Sequence, residues 1–410
     1  MTTSLARQAS RWLTTRRLRV HGLLLAVSLW SVYVWDVTAP GLRDRNGLLK
    51  GTDFLYFYTI GYIARVGHGS DLYDMNAQAA VAHKLVAESA GIFYLPLYGP
   101  QMSLFFAPFA RLPYACALTI WLLLNIFIYG LCCYATWRTC ARLRSEASTV
   151  LLLAIAYPAL FHLIAWGQTS ALALACFTLA FLALRSGWRF LAGLAIGMLI
   201  FKPQLGLLAA SLFLFAREWK IVLGALLASL GELATGWLYY GTPAMRDYAH
   251  HLLHVREVLP LLEPKPDQMH SLRAFWSLLV PWPGLAFALY LITVVVALVL
   301  TLRLWRTTAP LSLRYSGLLL ATVLVAPHLT VYDLVIVAPA FLLLADWVIG
   351  NPENRLNDEV KILLYLCYTL TLLGPIARWT HVQLSVIALS ALLWLAWQLA
   401  QKNSTCRTET

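Results

Sequence analysis

Charge is scarce in this 410-residue chain, in which only 12% of residues are Asp, Glu, Lys or Arg; soluble domains carry roughly a quarter. The shortage is greatest for acids, 19 against 31 Lys and Arg, so the chain bears a net charge of +12. No polar stretch is long enough for a separate soluble domain. The seven cysteines (Cys116, Cys132, Cys133, Cys140, Cys176, Cys367 and Cys406) make no CxxC pair, which leaves no basis for a zinc site or a disulfide framework. They read as small apolar fillers. There is no HExxH motif, no low-complexity tract and no internal repeat, and a carrier built from inverted halves normally shows such a repeat.

What is present is apolar: 60% of residues are hydrophobic, 13% of the chain is aromatic, and apolar runs recur from Val20 almost to the end. About 20 such residues span a bilayer core. The composition predicts an all-α, polytopic membrane protein forming a single domain over 1–400, with a polar cytoplasmic tail at 401–410. A retained first helix is expected over about Val20–Val37, because no small-residue cleavage site follows the run of Arg7, Arg11, Arg16, Arg17 and Arg19. Further spans are expected near 114–137, 149–165, 169–184, 190–201, 203–216, 221–240, 284–302, 313–326, 334–349, 362–377 and 382–400, about twelve in all. The short stretch Pro96 to Ala110, interrupted by Pro100 and Pro108, is left as a span or a re-entrant segment.

The basic residues fall in short clusters between these runs, so they read as topology signals that exclude nucleic acid as a partner. With the segment at 96–110 not crossing, Arg138/Arg142/Arg144, Arg185/Arg189, Arg217/Lys220 and Arg303/Arg306/Arg314 all fall on the cytoplasmic side together with both termini. The opposite face then receives two large loops, about 38–113 and 241–283, and the links at Trp166-Gly167-Gln168, Lys202-Pro203 and Pro327 to Asp333. This places the protein in the inner (plasma) membrane, with its polar groups gathered on the periplasmic or exterior face. The first loop is expected to carry a surface helix showing Phe54, Phe57, Tyr58, Gly61 and Tyr62 at helical spacing.

Several residues on that face can carry chemistry. Asp53, near a low-dielectric surface, suits a general base whose pKa is raised for the task, or it caps the helix that follows. Asp71 and Asp74 read as caps for a helix over Met75–Ala90. Lys202, between two apolar segments and ahead of Pro203, is either a functional cation, with a lipid phosphate as a fitting partner, or a snorkelling side chain. His328, Tyr332 and Asp333 suit contacts to phosphate or sugar hydroxyls, Asp333 being equally suited to helix capping. Arg273 suits bidentate phosphate binding, and Gln168 beside Trp166 suits a sugar through a hydrogen bond and stacking. His250, His251 and His254 are spaced too irregularly to suggest a metal site. Glu232 and Asn125 fall inside expected spans, where either can bond a neighbouring helix.

The segments GTDFLYFYTIG (51–61), GSDLYD (69–74), APFARLP (107–113), WGQTSALAL (166–174), FKPQLGLL (201–208), HSLRAFW (270–276) and PHLTVYDL (327–334) occur in an order that resembles glycosyltransferase family 87. These are C-type transferases that include polyprenol-phosphate-mannose-dependent mannosyltransferases. The resemblance implies a membrane-embedded enzyme of the GT-C fold with catalytic external loops. It also implies a polyprenyl-phosphate hexose donor, mannosyl in the best-known members of the family, and an inverting displacement; a lipid or glycan acceptor is expected, and tight pairing of the leaving phosphate by cations makes neither a cofactor nor a metal necessary. It further implies that Asp53 is the base and that Lys202, Arg273 and His328 meet the donor phosphate; Tyr58, Gln168, His270, Tyr332 and Asp333 are the candidates for contact with sugar or acceptor. The chain departs from the family pattern in having His270 where Asn is common, and Leu95-Pro96-Leu97-Tyr98 where a Pro-Pro pair is common. A transporter or flippase of lipid-linked sugars is the competing class, since it too needs cations near a prenyl groove.

Overall fold

A computed structural model describes residues 2–255, 257 and 266–405. Among them the only β pairing is two isolated antiparallel bridges, Arg43 with Leu49 and Met269 with Thr330; everything else is helix and connecting loop. Seven helices are long and apolar enough to cross a membrane: Thr15–Val37, Tyr114–Thr139, Trp219–Leu253, Pro283–Trp305, Val331–Gly350, Asn357–Thr380 and Leu384–Gln401. Leu143–Ile155 and Pro158–Trp166 add an eighth if they are one span bent by 43°. The bend falls at Ala156-Tyr157, where Pro158 disfavours helical geometry in the residue before it. Four shorter apolar helices, Ser170–Arg185, Arg189–Phe201, Pro203–Phe215 and Leu311–Val325, complete the bundle. The expected twelve spans thus resolve into these longer and shorter helices. The last helix continues through Thr405, into the region expected to be tail.

Within 96–110 the helix is only Gln101–Phe106, about 9 Å at 1.5 Å per residue, which is too short to cross a bilayer. The Trp219–Leu253 helix is interrupted at Gly241, whose φ of 77° and ψ of −176° suit glycine alone; Pro243 then opens the segment that follows. Large aliphatic side chains stand exposed along the outer faces, among them Leu223, Leu227, Leu230, Ile292 and Val295. Such continuous apolar exposure is what a lipid-facing surface requires.

The pairing of helix ends gives the bundle two unlike poles. At one, Arg19 bonds Glu146 at 3.1 Å, the backbone amides of Arg142 and Leu143 donate to Asp346, Arg189 bonds Glu218 at 2.7 Å, and Arg306 donates to the Phe215 carbonyl. The basic clusters therefore collect together. Because Arg189 and Glu218 meet, the chain between them must run out and return, and it turns at Lys202-Pro203. Close packing makes the hairpin possible. A methyl on Gly193 would lie 2.1 Å from the Ile221 carbonyl oxygen, and one on Gly197 would lie 2.2 Å from that of Ala225, the small-residue contact by which membrane helices approach each other.

At the other pole the Thr52–Val66 helix differs from the expected surface helix, because ten of its fifteen residues are buried. Phe54 and Phe57 pack against Phe106, Phe54 also faces Trp121, and Gly61 lets the backbone at Phe106 approach so closely that a methyl would sit 2.6 Å from its carbonyl oxygen. The aromatic pattern that suggested one exposed and one buried face instead packs on all sides.

Candidate active site

Two left-handed glycines set the geometry of the site. Gly51 (φ 63°) precedes the Thr52–Val66 helix, and Gly167 (φ 70°) ends Pro158–Trp166. A methyl on Gly167 would meet the Phe54 Cβ at 2.9 Å and the Gly51 Cα at 3.6 Å, whereas one on Gly51 would strike Leu118 at 2.4 Å. Two side chains absent at the junction thus let the two turns touch. The Gly167 carbonyl accepts the buried Trp121 indole N–H at 2.8 Å, and the Lys50 and Gly51 carbonyls accept the Tyr114 hydroxyl at 2.8 and 3.0 Å.

This contact brings Asp53 and Gln168 together. The Gln168 Nε2 donates to the Asp53 Oδ2 at 2.7 Å, while its Oε1 accepts the Thr169 amide at 3.1 Å. Asp53 does not cap its helix: no side-chain cap is made there, and Thr52 donates its hydroxyl to the Leu49 carbonyl. Asp74, in contrast, accepts the Asn76 and Ala77 amides and caps Met75–Leu85. Burial raises the Asp53 carboxyl to about 6; the Gln168 hydrogen bond and the charges of Lys202 and His328 only partly offset that rise. Asp53 is close enough to feel Lys202, Asp333 and His328.

Lys202 is 3% exposed. Its Nζ donates to Asp333 Oδ1 at 2.9 Å and to Ser170 Oγ at 3.0 Å, and Ser170 donates to the same Asp333 oxygen at 2.6 Å. The second Asp333 oxygen accepts both the amide and the hydroxyl of Thr330, closing a capping box at Val331–Val337. Asp333 thus makes the cap that the sequence offered as one of its roles, and an ion pair with Lys202 that the sequence did not suggest. Tyr332 lies with its ring centroid 5.3 Å from the Lys202 Nζ.

The remaining candidates surround this core. Arg273 donates to the Pro327 carbonyl, beside His328. The backbone amide of His270 donates to the Leu329 carbonyl at 2.9 Å, and its Nδ1 lies 2.7 Å from the Ser385 hydroxyl; burial pushes its imidazole down to about 3, so it is neutral at physiological pH. Tyr58 is held in the aromatic pack, its hydroxyl donating to the Leu112 carbonyl at 2.7 Å. His251 and His254 bond backbone carbonyls, those of Tyr73 and His250, and part of the loop that follows lies outside the described residues. Asn125 donates to Trp121 one turn earlier in its own helix. Among the described residues no group of three or more His, Cys, Asp or Glu is placed to hold a metal ion.

Sequence reasoning missed Ser170, Thr330 and Tyr98. Ser170 and Thr330 had a signal, each sitting at a helix start next to a singled-out residue. Tyr98 had none beyond its loop, yet it lies within reach of the charges of Asp53, Lys202 and Asp333.

A helical bundle with apolar outer walls and a buried carboxylate–lysine cluster at the pole opposite its basic clusters defines a polytopic membrane protein with an internal polar site. The sequence model of glycosyltransferase family 87 matches residues 97–327, more than half of the chain, and the protein belongs to that family and is a membrane glycosyltransferase. No curated protein and no solved structure matches it.

Proposed function

We propose that the protein transfers a hexose, mannose in the first instance, from a polyprenyl phosphate to an acceptor hydroxyl on the extracytoplasmic face, with inversion at the anomeric carbon and Asp53 as general base. The observation that carries this reading is the pairing of Asp53, raised to about 6, with Gln168 beside the Lys202 ammonium. The acceptor oxygen attacks the anomeric carbon as its proton passes to Asp53, and the bond from that carbon to the phosphate oxygen breaks. The leaving phosphate keeps the electron pair. Lys202 balances that charge, with Arg273 and His328 at the rim, so no proton need be supplied. Gln168 and Tyr332 would meet sugar or acceptor, with the buried His270 and Asp333 fixing the wall behind them and Tyr58 supporting the helix that bears the base. In this reading the basic pole is cytoplasmic, both termini lie there, and the chain crosses the inner membrane about twelve times. The alternation of helix ends between the two poles supports that count.

The test is sugar transfer from synthetic polyprenyl-phosphate hexoses in membranes carrying the wild type or Asp53→Asn. Loss of a positioned base lowers rate by about 10²–10⁴ with normal insertion and unchanged donor binding. Retained turnover in Asp53→Asn removes Asp53 as the base.

A further inference from the structure

From the basic pole inward, four helices fail to close on one another. Thr15–Val37, Leu143–Ile155, Ala338–Gly350 and Asn357–Thr369 leave between them a cavity of about 420 Å³, within the range of ligand sites. Its wall includes Leu18, Leu153, Phe341, Leu342 and Leu364. Four tyrosines line it as well, and three of their hydroxyls are committed to carbonyls: Tyr129 donates to that of Ala154 at 3.0 Å, Tyr157 to that of Leu334 at 2.8 Å and Tyr368 to that of Leu153 at 2.7 Å. With those hydroxyls bonded elsewhere and the wall, Lys361 and Glu146 aside, mainly aliphatic and aromatic, the interior suits a hydrocarbon and has little to offer a sugar or nucleotide.

The mouth is of opposite character. A recess of about 470 Å³, lined by Arg11, Arg16, Arg17 and His21, shares Thr14 with the cavity. His21 in the recess lies 3.4 Å from the hydroxyl of Tyr365 in the cavity wall. The recess stands at the start of the 23-residue Thr15–Val37 helix, which has no acidic residue in its first turn, so the helix dipole adds to the positive charge. Glu146, the one carboxylate on the cavity wall, is neutralised by Arg19 and bonded by Thr149.

We infer that this is a binding site for one anionic phospholipid of the leaflet at the basic pole, its phosphate held by Arg11, Arg16 and Arg17 and one acyl chain seated between the helices. The cationic recess adjoins the largely apolar cavity through Thr14 and the His21–Tyr365 contact, and that continuity of charge with apolar space argues for a single amphiphile. A free phosphate would gain nothing from the cavity. A zwitterionic lipid would bring its own ammonium against three guanidinium groups. The cationic mouth is at the basic pole, so a headgroup held there is separate from any donor or acceptor phosphate at Asp53 and Lys202, although the inner end of the cavity reaches Tyr157, which bonds the Leu334 carbonyl next to Asp333; the assignment does not depend on the proposed reaction.

Native mass spectrometry of the full chain in detergent tests this, with phosphatidylglycerol and phosphatidylcholine added at equal concentration. Retention of phosphatidylglycerol should exceed that of phosphatidylcholine by about tenfold or more, since basic residues near the membrane surface favour an anionic lipid. The exposed pair Arg16→Gln/Arg17→Gln should abolish that preference, and Leu342→Trp, which fills the cavity, should reduce retention of both lipids. Excess inorganic phosphate should leave retention unchanged. Because Leu342→Trp can fail to fold, the charge variant is decisive by itself. Equal retention of the two lipids, an undiminished preference in the charge variant, or displacement by inorganic phosphate would each overturn the assignment.

Discussion

Asp333 and Asp53 flank one lysine, yet they are held in opposite ways. Asp333 is 2% exposed and accepts four hydrogen bonds, from Lys202, Ser170 and twice from Thr330. Every one of them favours the ionised carboxylate and fixes its position. Asp53 keeps partial access and accepts one hydrogen bond, from Gln168, which is too little to offset the cost of burial. The contrast separates a joint of the fold from a group left able to take a proton. Asp333 ties the Lys202 turn to the Val331 helix start. Asp53 is positioned by two glycine turns and left electrostatically unsatisfied, the arrangement in which a carboxylate serves as a base near neutral pH.

The strongest way to break this comparison is to remove charges singly and in pairs. Lys202→Met leaves the Asp333 carboxylate buried without its cation, and stability should fall by about 3–5 kcal/mol, the usual result of breaking a buried pair from one side. Lys202→Met combined with Asp333→Leu removes both charges and should recover most of that loss, while transfer activity stays lost. Unfolding midpoints in detergent read the first outcome and donor turnover the second. Asp53→Asn should behave differently in the same assay. The Asp53 carboxyl is raised from 3.8 to about 6, so the group makes no difference to stability below the unfolded value, costs the folded state increasingly as pH rises from the unfolded value to the folded one, and costs it in full above that. Asn avoids that cost, and at pH 7 its midpoint should equal or exceed that of the wild type. A midpoint for Asp53→Asn as low as that of Lys202→Met would mean that both carboxylates are joints.

The glycine turns offer a smaller effect. Gly167→Ala must hold an L-residue at φ 70° and push its methyl to 2.9 Å from the Phe54 Cβ. Such strain costs about 1–3 kcal/mol, and the Asp53–Gln168 contact should open with it. Activity should therefore fall further than the loss of folded protein explains, which turnover per folded molecule would reveal.

How much of this was legible in the sequence differs between the two corners. Basic clusters and apolar runs are local patterns, so the two poles and the turn at Lys202-Pro203 could be anticipated, and the GTDF segment drew attention to Asp53. The partners could not be read in the same way. Gln168 is 115 residues from Asp53, and Asp333 is 131 from Lys202. No periodicity links positions so far apart, and only the packing of Gly51 on Gly167 or the return of the Arg189–Phe215 hairpin brings them together. The Thr52–Val66 helix misled for a related reason. Spacing shows which residues share a face, but Phe106, Phe109 and Trp121, which cover the other faces, come from later segments.

The finest test concerns the one hydrogen bond that Asp53 accepts. Donation from Gln168 pulls the carboxyl down against the larger upward push of burial, so Gln168→Leu should raise it above about 6. With Asp53 as the base proposed above, transfer would need the ionised carboxylate, so the wild-type rate should rise with pH through about 6 and then level off; the variant's rise should come at higher pH. A shift of one unit leaves about a tenfold smaller ionised fraction on the acid limb, whereas at a pH above both values the two proteins should differ little. The size of the loss thus depends on pH, and that dependence distinguishes a tuned base from a damaged fold, because a folding defect lowers the rate by the same factor at every pH. If the two pH profiles are parallel, with the acid limb in the same place, Gln168 only positions Asp53 and does not set its affinity for the proton.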